Sequence, residues 1–129
     1  MPIRSGEFLH RGRIAVGHTG ERTAEEYLRS IGYRIFGRNV RIGRGEIDLI
    51  AYDPSEKVIV FVEVKTRSKN DPDFRPEINL TIEKKRRMQR AAQMWISARE
   101  FTGGYRIDAL CVAGRKVVEH FRQIEFTTE

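Results

Sequence analysis

The chain has a single cysteine, Cys111, in 129 residues. That excludes a disulfide framework and a cysteine-based zinc site. No apolar run reaches the ~18 residues that a membrane-crossing helix needs. Arg4, Arg11 and Arg13 make the start basic, but no apolar segment follows them, so the start does not read as a signal peptide. Histidine is scarce. His10, His18 and His120 are too scattered for a metal-ligand spacing and read as surface or capping residues. Internal repeats and low-complexity segments are also missing. These absences leave a soluble protein of a reducing compartment, with a cytoplasmic location expected and no membrane partner.

What the sequence does have is positive charge. A third of the residues are charged and the formal net charge is +6. Such an excess suits a polyanionic partner, either nucleic acid or an anionic membrane surface. The length fits one domain with one core. Residues 1–12 read as a loose basic arm and residues 13–129 as the domain.

The pattern predicts the order α-β-β-β-α-β-β. Ala24, Tyr27, Leu28 and Ile31 make the apolar stripe of a first helix that Gly32 ends. Strands are expected over 33–41, 46–51 and 58–65, forming an antiparallel meander. The third is apolar on both faces in its first half, which places it centrally. Residues 67–77 read as a loop. A helix over 81–101 follows, with Met88, Ala91, Ala92, Trp95 and Ile96 on its buried side. Two further strands are expected over 105–113 and 117–126. Trp95 belongs to the helix core. Asp108 reads as a buried structural acid, with Arg106 or a lysine of the second helix as partner.

Chemistry concentrates on Asp48 and on Glu63-Val64-Lys65. Strand residues two apart share a face, so Glu63 and Lys65 point the same way. If residue 53 pairs with residue 58, Asp48 lies opposite Glu63 and Glu46 opposite Lys65. Directly opposed side chains have Cβ atoms ~4.5–5.5 Å apart. Two carboxylates that close repel, and a Mg²⁺ between them relieves the repulsion. A one-residue slip would break this pairing. An isolated E-x-K is ordinarily the solvated end of a strand; the facing Asp48 and the apolar flanks distinguish this one. Glu21, at the start of the first helix, falls on the core-facing side. It is either a first-turn acid favoured by the helix dipole or a third oxygen group for the same metal.

The second helix opens with Lys84-Lys85-Arg86-Arg87. Lysines there oppose the helix dipole, and a bound phosphate would relieve that. Lys84 and Lys85 flank the core-facing side, while Arg86, Arg87 and Arg90 fall outward. Lys84, Arg67 and Lys85, with Arg87 beside them, are the candidate phosphate contacts. Gly43-Arg44-Gly45 reads as a hairpin turn, because no helix follows it.

Asp48…Glu63-Val64-Lys65 resembles the PD-(D/E)xK nuclease signature. The fuller pattern includes Gly20-Glu21, Gly45-Glu46-Ile47-Asp48-Leu49-Ile50-Ala51, Phe61-Val62-Glu63-Val64-Lys65-Thr66-Arg67, Lys84 and Arg106-Ile107-Asp108. It resembles the YraN-like family of small bacterial proteins over nearly the whole chain. That family is similar to archaeal Holliday junction resolvases. The resemblance implies a restriction-endonuclease-like α/β sandwich of three layers, with a mixed five-stranded sheet between helices. It also implies catalytic roles for Asp48, Glu63, Lys65 and Glu21, with Asp48, Glu63 and Glu21 holding Mg²⁺ or Mn²⁺. The nominal proline of the signature is absent here, since Asp48 follows Glu46-Ile47.

The expectation is a Mg²⁺-dependent endonuclease on DNA, branched or otherwise structured, for which a homodimer would suit a two-strand junction. A non-catalytic nucleic-acid-binding protein on the same frame is the alternative. An interaction subunit that presents its basic patch to an acidic protein is a third.

Overall fold

The computed structural model describes residues 15–67 and 81–123, with side chains from Gly20 onward. The expected basic arm at 1–12 lies outside these residues, as does nearly all of the loop expected at 67–77. The elements are α1 (Ala15–Ser30), β1 (Arg34–Ile42), β2 (Gly45–Asp53), β3 (Val58–Arg67), α2 (Ile82–Ala98), β4 (Tyr105–Ala113) and β5 (Lys116–Phe121). The five strands form one mixed sheet in the order β1-β2-β3-β4-β5. The β3–β4 pair is parallel and the others are antiparallel. Parallel neighbours require a crossover, and α2 lies within it.

Alternation along β3 sorts the core into two layers. Val60 and Val62 join Ala24 and Leu28 of α1. Ile59 and Phe61 point the other way, to Met88, Ala91, Ala92 and Trp95 of α2. The helices therefore cover opposite faces, and β3 is buried on both, as its unbroken valine-rich run requires. Trp95 packs edge-on against Phe61, with ring centroids 5.8 Å apart. Ile31 departs from the expected stripe and is exposed. The helix ends at Ser30, and Gly32 at φ +97 turns the chain away before Ile31 can reach the core.

A buried polar network stands in the α1 layer. The Arg106 guanidinium donates to Asp108 at 3.0 Å, Asp53 at 3.0 Å, Glu56 at 2.8 Å, and the Tyr33 hydroxyl. His120 bridges Asp108 (2.8 Å) and Tyr27 (2.9 Å), so it is an interior link and not the surface or capping residue expected. Asp108 itself is fully buried, and the Gln123 N–H also points at it. The guanidinium and these donors compensate its burial.

Candidate functional site

The site is created by the sheet parting. The β2–β3 ladder runs from Asp53↔Val58 to Leu49↔Val62 and stops. Beyond that point β2 stays with β1 as far as Ile42↔Gly45, while β3 stays with β4 as far as Arg67↔Ala113. Asp48 and Glu63 are the first residues past the last pair, one on each side of the fork. The register matches the one in which residues 53 and 58 pair. At the base of the fork the Asp48 carboxylate accepts the Val64 N–H at 2.8 Å.

Local backbone explains why the ladder ends there. Ile47 and Ile50 both pack in the α2 layer although they are three apart, so strict alternation fails across Asp48. Opposite, Asn39 of β1 sits at φ +49. At the tip of the hairpin Gly43 takes φ +57, the first central position of a two-residue turn, which favours glycine.

A cleft of about 240 Å³ occupies the fork, with Arg44, Glu46 and Asp48 on one wall and Glu63 on the other. Lys84, Arg87 and Met88 of α2 close it. The α2 start is held by Thr81, whose hydroxyl accepts the Lys84 N–H at 3.0 Å. Lys84 then reaches back to Glu63, placing its Nζ 2.6 Å from Oε2. Lys65 Nζ stands 3.5 Å from the same oxygen. Glu63 is 4 % exposed, so two ammonium groups compensate a buried carboxylate. The Glu63 carboxylate in turn answers the dipole conflict that Lys84 creates at the head of α2. Glu46 does not pair with Lys65 as its register position suggests; it is exposed, and Lys65 turns to Glu63.

The electrostatics follow the geometry. Burial, then the charge of Glu63, pushes Asp48 up to about 7, against a partial offset from the Val64 N–H. Burial also raises Glu21, opposed by a hydrogen bond from Asn39 and reinforced by Glu46 and Glu63. Burial lowers Lys65, and the neighbouring charge of Lys84 adds to it. Burial acts on Lys84 in the same direction, but the hydrogen bond and charge of Glu63 outweigh it and raise the net value.

Asp48, Glu63 and Lys65 therefore come together as the spacing suggests. Glu21 approaches from the α1 side, close enough to feel Glu63 but outside the lining of the cleft. Among the described residues no three carboxylate, histidine or cysteine groups stand close enough to hold one ion. Of the four candidate phosphate contacts, Lys84 and Arg87 line the cleft. Lys85 is half-buried away from it, and Arg67 donates to the Thr66 carbonyl at 2.9 Å. Arg87 is thus not simply an outward residue. Sequence reasoning passed over Arg44 and Glu46 as lining residues. Their signal is the short turn at 43–44, which sets both beside the fork. Among the described residues no helix is long and apolar enough to cross a membrane.

Residues 20–112 match the Uncharacterised protein family UPF0102. A UPF0102 protein of Herpetosiphon aurantiacus is 37 % identical over 120 residues, covering 87 % of this chain and 94 % of the relative. One from Mycobacterium sp. (strain KMS) is 42 % identical over 101 residues, 78 % of this chain and 74 % of the relative. One from Pelobacter propionicus is 37 % identical over 110 residues, 81 % and 77 % of the two chains. On both counts the chain belongs to the UPF0102, or YraN-like, family.

Proposed function

We propose that the chain is a Mg²⁺- or Mn²⁺-dependent phosphodiesterase acting on DNA, on a restriction-endonuclease-like PD-(D/E)xK core related to the archaeal Holliday junction resolvases. The observation that carries this reading is the fork, where two strands part and set Asp48 and Glu63 on facing walls of one cleft. Two carboxylates fit Mg²⁺, which takes one or two and fills its remaining positions with water and phosphate oxygens. Asp48 and Glu63 would hold the ion, with Glu21 adding negative charge from behind. Once bound, the ion supplies positive charge at the scissile phosphate and acidifies nearby water. Lys65, whose proton affinity burial lowers, orients the attacking water. Lys84 at the cleft mouth presents an ammonium to a phosphate oxygen. Arg67, Lys85 and Arg87 add the cationic field that holds the strand.

Labelled branched and linear DNA, incubated with wild type and Glu63→Ala in Mg²⁺ and in Mn²⁺, tests the reading. Wild type should cut at least one substrate and the variant none. Equal inertness of the two under every condition sinks it.

One observation favours a second reading. Glu63 is already matched by Lys84 at 2.6 Å, which suits a non-catalytic nucleic-acid-binding protein on the same frame. On that reading Asp48→Ala and chelation leave binding unchanged.

A further inference from the structure

We infer that a second groove, beside the acid cleft, is a subsite for the backbone of double-stranded nucleic acid, built on Arg44, Arg86 and Arg90. The inference rests on the nucleic-acid reading of the site but not on its catalysis. The groove encloses about 830 Å³ and is lined by Arg44, Ile82, Glu83, Arg86, Arg87 and Arg90. Four guanidinium groups face one carboxylate there. Glu83 leans on Arg87 at 3.9 Å; among the described residues Arg44, Arg86 and Arg90 have no salt-bridge partner. Such a concentration of unpaired charge is costly without a polyanion to share it.

The arrangement is built by the sequence. Residues 83, 86, 87 and 90 are spaced to form one stripe along α2. Arg44 joins them from another element, the β1–β2 turn. The turn lies in packing distance of α2: a Cβ on Gly45 would stand 3.4 Å from the Ala91 Cβ and 3.5 Å from the Arg87 carbonyl oxygen, ordinary van der Waals contact. Arg44 and Arg87 line both the groove and the acid cleft, so the two share a wall. A strand lying along the arginines is thereby led to Asp48 and Glu63.

The lining also selects the form of the ligand. Guanidinium forks match phosphate oxygens in pairs and read no base. Proteins that hold single strands stack the bases on aromatic rings, and among the described residues no ring lines this groove. A duplex keeps its bases stacked on one another and needs no such platform. The groove therefore fits a duplex backbone, bound without regard to sequence.

Fluorescence anisotropy in chelator tests this, with a short labelled duplex of arbitrary sequence and the same strand unpaired. Wild type and Glu63→Ala should bind the duplex more tightly than the single strand. The triple variant Arg44→Ala, Arg86→Ala, Arg90→Ala should lose about tenfold or more, and its salt dependence should flatten by about 0.9 for each phosphate contact removed. Arg115→Ala, on the β4–β5 turn, is the charge-matched control for Arg44→Ala and Arg90→Ala taken singly, and should bind as wild type. A melting curve checks the fold; if the triple variant is unfolded, Arg44→Ala and Arg90→Ala are compared singly. Tighter binding of the single strand overturns the inference, as does unchanged binding by the arginine variants or an equal loss in Arg115→Ala. Duplex binding lost in these variants, with wild type inert in cleavage, leaves the groove standing and removes the nuclease. Normal cleavage and binding by the variants does the reverse.

Discussion

Asp48 shows how one residue carries several constraints at once. Its carboxylate caps the fork through the Val64 N–H, faces Glu63 across the cleft, and holds its proton up to about 7 because of burial and that facing charge. The consequence for stability has a definite sign. From the ordinary value of 3.8 up to about 7, the folded chain keeps a proton that the unfolded chain has released. Rising pH across that window therefore costs stability, and the loss levels off above it. Asp48→Asn keeps an acceptor for the Val64 N–H and removes the titration. Its melting temperature should exceed that of wild type at pH 8, and its decline between pH 4 and 7 should be shallower. Parallel curves for the two proteins would show that Asp48 ionises freely. The pair Asp48 and Glu63 was legible in the sequence because antiparallel register is simple arithmetic once the 54–57 turn is recognised. The Lys84–Glu63 contact was not, because no local pattern states which acid a helix-start lysine will reach.

Among the elements, α1 lies against the sheet at a distance that one glycine sets. A Cβ on Gly20 would stand 2.3 Å from the Thr66 hydroxyl oxygen, so a side chain there must displace either Thr66 or the helix. Gly20→Ala should destabilise by about 1–3 kcal/mol, as overpacking does. Thr66→Ala removes the nearest atom and should recover part of that loss in a double-mutant cycle read by denaturant unfolding. Additive effects would mean that the helix shifts freely. The strands were legible through their valine and isoleucine runs, β4 to the residue. The edges were less so. β2 runs on past Ala51 to Asp53, because the Asp53 carboxylate is taken up by Arg106 and by the Ser55 N–H at 2.9 Å. That partnership spans the chain and is invisible to a local reading. The face change at Asp48 was equally hidden, since alternation assumes a regular strand.

Taken whole, the molecule divides its buried charge between the two layers. On the α1 side Arg106, Asp108, Asp53 and His120 satisfy one another within the fold. On the α2 side Glu63 and Asp48 border a cleft. Structure and proposed chemistry should therefore separate under mutation. Asp108→Ala leaves the Arg106 charge short of its main partner and should cost about 3–5 kcal/mol in chemical denaturation. Asp48→Ala should fold with far less loss. Similar destabilisation by both would mean that the cleft acids also serve chiefly to hold the fold. The parallel ladder adds a property of the whole sheet. β3 and β4 stay zipped from Ile59↔Tyr105 to Arg67↔Ala113, so their register is written along the strands themselves. Two fragments divided between Arg67 and Thr81 should keep those matching edges, one carrying Asp48 and Glu63 and the other Lys84, and should reassemble as a split protein.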